Sequence, residues 1–207
     1  MVRKLVLAAA ISSFSAGALA QGAGPMKHFS VGLASYASSL GYTLTERYDS
    51  SYYWGYRESS ETETFSGPAL FITGAINNNF ALRGTYAMQG HEDESWDLDS
   101  LEGSLLAGTG LAENGLRAYG SVGFFRDSFE YSTYDSSSEK ETFSGLALGG
   151  GVGYTWTHLA LEFWLNVRSA ADYEDFLEDY AHETSEHGAE IDDVVAVTGG
   201  LGLSVRF

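Results

Sequence analysis

The chain of 207 residues contains no cysteine, which excludes disulfides and thiolate metal sites. Proline occurs only twice, so little interrupts the hydrogen-bonded ladder of a strand. Basic residues are scarce: 11 lysines and arginines stand against 28 aspartates and glutamates, for a net charge of −17. Phosphate binding needs clustered cations, so nucleic acid is excluded as a partner. There is also no apolar run of about 18 residues, the length a membrane-spanning helix requires. A membrane protein without such a helix has to be a closed barrel, because only closure satisfies every backbone hydrogen bond in lipid.

What the chain has in quantity is glycine and aromatic residues: 25 Gly, 13 Tyr, 12 Phe and 4 Trp. That mixture suits strands and interfacial aromatic girdles. The N-terminus has the physical pattern of a secretory signal: Arg3 and Lys4, an apolar stretch from Leu5 to Ile11, and small residues at Ala18-Leu19-Ala20. Residues 1–20 are expected to be removed, with Gln21 first in a single mature domain over 21–207. Loss of Arg3 and Lys4 takes the net charge from −17 to −19.

The last residues are the most informative. Leu201, Leu203, Val205 and Phe207 fall on one side of a strand, and Gly202, Ser204 and Arg206 on the other. Val195 and Val197 extend the apolar side; Ala196, Thr198 and Gly200 extend the small or polar one. Read with this period of two, the chain resolves into eight segments near 28–43, 64–76, 80–92, 96–111, 116–131, 141–156, 159–172 and 193–207. Tight turns of Asn77-Asn78-Asn79, Ala112-Glu113-Asn114-Gly115 and Thr157-His158 alternate with long polar connections over 44–63, 91–97, 132–140 and 173–192. The expectation is an all-β fold, an eight-stranded antiparallel up-and-down transmembrane β-barrel, with turns in the periplasm and loops outside.

Face assignments carry a consequence for charge. On the seventh segment Leu159, Leu161, Phe163, Leu165 and Val167 oppose Ala160, Glu162, Trp164, Asn166 and Arg168. On the third, Phe80, Leu82, Tyr86 and Met88 oppose Arg83, Thr85 and Gln89. On the fourth, Leu101, Leu105 and Leu111 oppose Glu102 and Ser104. An arginine facing lipid at midplane costs about 2–4 kcal/mol, so Arg83, Arg168 and Arg206 should point inward. There they meet Glu102 and Glu162, joined by Arg117, in a lumen that eight strands leave just wide enough for side chains. Gly149-Gly150-Gly151-Val152-Gly153 lacks the Lys-Ser/Thr of a phosphate loop and reads as a small inward face that admits Trp164.

Outside the strands, Tyr52, Tyr53, Trp54 and Tyr56 lie among acidic residues in the first long connection, a candidate surface-contact patch. The stretch His182-Glu183-Thr184-Ser185-Glu186-His187 has no ordered cation-loop spacing and reads as a solvated charged loop. No Gly-x-Ser-x-Gly elbow occurs, and no serine closely precedes His158, which shares its turn with Thr157. No catalytic residue, cofactor or metal is assigned.

Signal peptide, eight alternating segments, short turns and terminal Phe207 together resemble the small eight-stranded outer-membrane barrel superfamily, specifically the Ail/Lom/OmpX group and the transmembrane part of OmpA. The resemblance covers His28 to Phe207. It implies that Leu201, Leu203, Val205 and Phe207 form the signal read by the barrel assembly machinery, although Val205 stands where an aromatic is common. It also implies a monomer among outer-membrane lipid and lipopolysaccharide, with a structural or adhesion-like role and a host or cell-surface receptor as partner. A narrow cation-preferring pore and a lipid-A-modifying enzyme are the alternatives. Members that bind polyanions carry basic loops, whereas these loops are acidic.

Overall fold

The computed structural model describes residues 28–50, 53–91, 96–132, 138–184 and 189–207. Eight strands form one closed antiparallel barrel in which each strand pairs with its sequence neighbours and the last pairs with the first. They are β1 (Phe29–Ser50), β2 (Tyr53–Ala75), β3 (Phe80–His91), β4 (Trp96–Thr109), β5 (Gly115–Ser132), β6 (Ser138–Thr155), β7 (Leu159–Arg168) and β8 (Ala189–Arg206). A helix, α1 (Ala171–Thr184), lies between β7 and β8. Among the described residues no helix is long and apolar enough to cross a membrane. The signal segment 1–20 lies outside the described residues.

Strand β7 shows why the chain adopts this fold. Its side chains alternate without exception between exposed and buried, Leu159, Leu161, Phe163, Leu165 and Val167 facing out. Neighbouring strands do the same with Leu82, Leu101, Val122, Leu148 and Leu203, each at least half exposed or nearly so. A continuous apolar belt of this kind is untenable in water and is the normal outer face of a membrane barrel.

The short turns fall where expected, at 76–79, 110–114 and 156–158. In the first, Asn77 Oδ1 accepts the backbone N–H groups of Asn79 (2.7 Å) and Phe80 (2.9 Å). Gly110 adopts φ 74° in the second, where a Cβ would collide with the Leu116 carbonyl. Leu111 is not on an outward face as its period suggests; it follows β4 in this turn and is buried against the lumen.

Two long connections differ from expectation. The described residues of 44–63 are not a loop. β1 runs 22 residues and β2 runs 23, and their register is unbroken from Phe29↔Gly74 to Ser50↔Tyr53. A membrane strand needs only about 9–11 residues. The hairpin was unreadable because Thr, Glu, Ser and Arg occupy both of its faces, so no alternation marks it. The segment 173–192 is likewise not all loop, since α1 occupies Ala171–Thr184 and β7 stops at Arg168 instead of continuing to 172.

A bulge marks where the hairpin leaves the belt. Gly41 pairs with Val195 but Thr43 pairs with Asp192, so two steps along β1 match three along β8. Asp193, with φ 56°, absorbs the extra residue. Such a bulge bends its strand and re-aims everything beyond it.

Candidate functional site: the lumen and the vestibule above it

Beginning at the short-turn end, Arg206 points inward from β8, 3.4 Å from both the Glu113 carbonyl and Asn114 Oδ1. Among the described contacts the carboxylates Glu102 and Glu162 pair with Arg168, Arg83 and Arg117 and not with Arg206. Its position at the last inward step of β8 leaves it beside the 110–114 turn instead.

The next layer centres on Arg83. Its guanidinium donates to Glu162 Oε2 (2.5 Å), Tyr119 Oη (2.8 Å) and Thr73 Oγ1 (3.2 Å). The Tyr119 hydroxyl in turn donates to Glu162 Oε2 at 3.0 Å. Arg117 approaches Glu162 Oε1 at 3.7 Å, a charge contact longer than a hydrogen bond. The rings of Phe71 and Trp164 stand 5.2 and 5.0 Å from the Arg83 guanidinium carbon, within cation–π range. Trp164 fits because the facing positions lack side chains: a Cβ on Gly200 would sit 2.5 Å from its Cζ2. Gly151 makes the same room for the Tyr119 hydroxyl.

One layer further on, Glu102 Oε1 accepts from Asn166 Nδ2 (2.8 Å) and Ser104 Oγ (2.9 Å), and Ser121 Oγ donates to Asn166 Oδ1 (3.0 Å). Arg168 closes this layer. It donates to Asp127 Oδ2 (2.7 Å), Ser100 Oγ (2.9 Å), Glu102 Oε2 (3.1 Å) and Tyr36 Oη (3.2 Å), with its guanidinium carbon 4.5 Å from the Phe125 ring centroid. The six charged residues anticipated from sequence thus fall into two separate groups. Arg83, Arg117 and Glu162 meet in one; Arg168 and Glu102 meet in the other; Arg206 lies beside the 110–114 turn, within electrostatic reach of Arg117.

Asp127, Tyr119, Tyr36 and Tyr173 were not anticipated, yet they complete both groups. A signal existed for two of them. Arg117 must face inward, and strand parity then carries Tyr119, Phe125, Asp127 and Phe129 inward with it.

Above Arg168 the lining turns aromatic. Phe65, Leu98, Phe125, Phe129, Phe143 and Tyr173 form a second apolar cluster, with Trp96 and Phe176 packed against it. Most of these rings meet edge-to-face, as in Phe65–Phe129 at 6.0 Å and 86° and Trp96–Phe129 at 5.6 Å and 78°. Between them lies a cavity of about 430 Å³ that α1 partly roofs with Tyr173, Phe176 and Leu177.

The helix is tied down at its start. Asp172 Oδ2 accepts the Ser144 backbone N–H (2.8 Å), and the backbone N–H of Leu146 donates to Ser169 Oγ (3.1 Å). These contacts satisfy the edge of β6 beyond its last β7 pair, Ala147↔Arg168. Tyr173 stacks on Phe125 (6.1 Å, 8°) and donates a 2.5 Å hydrogen bond to Asp127 Oδ2. Burial, and after it the Asp127 carboxylate, push the Tyr173 phenol above its ordinary value, with Arg168 pulling the other way.

Of the surface aromatics expected in the first connection, Tyr56 is exposed on β2. Tyr52 and the side chains of Tyr53 and Trp54 lie outside the described residues, as do those of His182 and His187. His91 ends β3 instead of lying in a loop, with Nε2 2.9 Å from Glu63 Oε2. Among the described residues no group of three or more His, Asp or Glu is placed to hold a metal ion. At the end of β8, Leu201, Leu203, Val205 and Phe207 all face outward, and the Phe207 N–H donates to the Phe29 carbonyl at 2.8 Å.

No family model and no curated protein matches the chain. Solved structures do match. Neisserial surface protein A is 12% identical over 86% of this chain and 97% of its own, with a TM-score of 0.52. The outer membrane protein OprG from Pseudomonas aeruginosa is 13% identical over 89% and 98%, with a TM-score of 0.50. Ail, the attachment invasion locus protein of Yersinia pestis, is 17% identical over 88% and 100%, with a TM-score of 0.46. At such identities the likeness to the first two is one of fold alone, a closed eight-stranded β-barrel.

Proposed function

We propose that this chain is a monomeric outer-membrane barrel of a Gram-negative envelope with a structural or surface-interaction role. In this reading its lumen is closed by its own side chains and the β1–β2 hairpin is its contact surface. The signal segment 1–20 directs export, and Leu201, Leu203, Val205 and Phe207 are read by the barrel assembly machinery. The observation that carries the proposal is the length of the hairpin. Ten cross-strand pairs, Gly41↔Thr62 to Ser50↔Tyr53, continue beyond the apolar belt, a reach of about 34 Å at ~3.4 Å per residue. Along this reach β8 supports β1 only to Glu46, through its pairing with Ala189. Such a paired ribbon holds its tip at a defined distance from the membrane, unlike a solvated loop.

The chemistry of the ribbon narrows its partner. Glu46, Asp49, Glu58 and Glu61 outnumber Arg47 and Arg57 along it. Sulfated or phosphorylated polyanions are therefore poor direct ligands, and contact with lipopolysaccharide phosphate would need a bridging divalent cation. A receptor surface with exposed lysine or arginine is the favoured partner. The lumen supports a non-conducting barrel, since two guanidinium–carboxylate layers cross it in succession.

Cells displaying the protein should gain adhesion to host or neighbouring cells, and shortening the hairpin by removal of residues 43–60 should abolish it while the barrel still inserts. Unchanged adhesion after that deletion overturns the surface role. Steady single-channel openings in planar bilayers would overturn the closed lumen in favour of a cation pore. A lipid A mass profile altered by the gene would favour the enzyme.

A further inference from the structure

The cavity beneath α1 is not used by the contact surface just proposed, and its chemistry is specific. We infer that it is a binding site for one uncharged, largely apolar molecule that carries a single hydrogen-bonding group. Its volume of about 430 Å³ falls in the range of small-molecule sites. Its wall is mostly ring and aliphatic carbon, from Phe65, Trp96, Phe129, Phe143 and Phe176.

Polar groups at the wall are few. Ser38 projects inward from β1, is more than nine-tenths buried, and lines the cavity. Its hydroxyl has no hydrogen-bond partner among the described residues. Gln89 is equally buried with neither amide atom paired among the described residues, and it is the cross-strand partner of Leu98, which also lines the cavity. A buried polar group left unpaired costs free energy, so such groups persist where something outside the fold pairs with them. Ser38 is placed to pair with the polar group of a bound molecule, and Thr198, another buried lining residue, carries the second hydroxyl at this wall without a hydrogen-bond partner among the described residues.

The electrostatics select against anions. No lysine or arginine lines the cavity, whereas Glu63 does. The acidic residues Glu174, Asp175 and Glu178 of the roofing helix are exposed to solvent and do not line the cavity. A carboxylate or sulfate ligand would meet Glu63 with no counter-charge, whereas a neutral alcohol or phenol would not. Arg168, the nearest buried cation below, is already engaged by Asp127 and Glu102.

Tyr173, Phe176 and Leu177 form part of the roof of a cavity that is partly open to the outside, and two polar contacts, Tyr173 to Asp127 and Asp172 to Ser144, hold α1 over it.

Equilibrium dialysis of the barrel in lipid nanodiscs at pH 7 tests this, with 2-naphthol as the neutral probe and 2-naphthoate as its anionic counterpart. Empty nanodiscs correct for partition into lipid. Saturable uptake of one 2-naphthol per barrel is expected, with 2-naphthoate showing no excess over empty discs. Ser38→Ala keeps the cavity and removes the hydroxyl, so affinity should fall about 3- to 10-fold, the worth of one neutral hydrogen bond. Ala196→Phe, from another lining position, should fill the space and abolish uptake. If that variant fails to fold, as judged by its heat-modifiable migration on gels, the Ser38→Ala arm still decides. The inference is overturned by absence of saturable 2-naphthol, by equal binding of 2-naphthoate, or by Ser38→Ala binding as tightly as the parent. None of these outcomes depends on whether the hairpin mediates adhesion.

Discussion

Tyr173 of α1 and Asp127 of β5 are joined by a 2.5 Å hydrogen bond, and the accepting oxygen is the one that also takes Nη1 of Arg168 at 2.7 Å. A helix outside the membrane is thereby fastened to the uppermost charged layer of the lumen. The carboxylate is held in place from both sides, so the vestibule floor and its roof share one anchor.

Tyr173→Phe keeps the ring stacked on Phe125 and deletes only the hydroxyl. The loss should be about 1.5–3 kcal/mol, the range for a hydrogen bond to a charged group. Hydrogen exchange should quicken across α1 and leave β3 and β4 unchanged. Uniform protection in both proteins would show that the contact does not hold the helix.

The same tyrosine gives an alkaline limit. Its phenol is raised in the folded state, so its contribution is whole below the ordinary value of about 10 and fades as pH climbs through the raised one. Release of α1 above pH 10, followed by exchange or proteolysis, should therefore appear in the parent. In Tyr173→Phe it should be absent, because that helix is already loosened at neutral pH.

Arg168→Leu leaves the buried Asp127 and Glu102 without their guanidinium. A broken buried pair costs about 3–5 kcal/mol. The heat-modifiable folded band should convert at clearly lower temperature. Arg83→Leu should do likewise but by less, because Glu162 keeps the Tyr119 hydroxyl and the more distant Arg117. The two effects should be close to additive, because the groups share no residue.

Gly200→Leu should block folding, since its first side-chain carbon falls 2.5 Å from Trp164 Cζ2. Trp164→Ala opens that space. The double variant should regain the compact gel form that Gly200→Leu alone lacks, and failure to regain it would mean that something other than this ring excludes the side chain.

Deleting Phe207 should impair outer-membrane insertion far more than it weakens the finished barrel. Its described contacts are one backbone hydrogen bond and a ring 6.4 Å from Phe29, both at the belt's margin. Insertion yield in cells and unfolding temperature of refolded protein separate the two. Normal insertion of the truncated chain would remove the assembly role.

Strand direction reverses a side chain at every residue, so parity is a local property and could be read without coordinates. That is why the faces of β3, β7 and β8, the inward turn of Arg83, Glu162 and Arg168, and the three short turns were all legible in the sequence. The long hairpin was not, because polar residues on both faces erase the alternation that marks a half-buried strand. Nor was α1, whose run of Asp and Glu masks the Tyr173, Phe176 and Leu177 face.

Which inward groups actually touch was never a local matter. Arg168 and Asp127 are 41 positions apart and Arg83 and Glu162 are 79 apart, and each pair meets only across the lumen. Ring closure and the stagger between strands set the height of every inward side chain, and those heights alone sorted the charges into two layers. The same closure left an apolar hollow above them, with Ser38 at its wall and α1 as part of its roof.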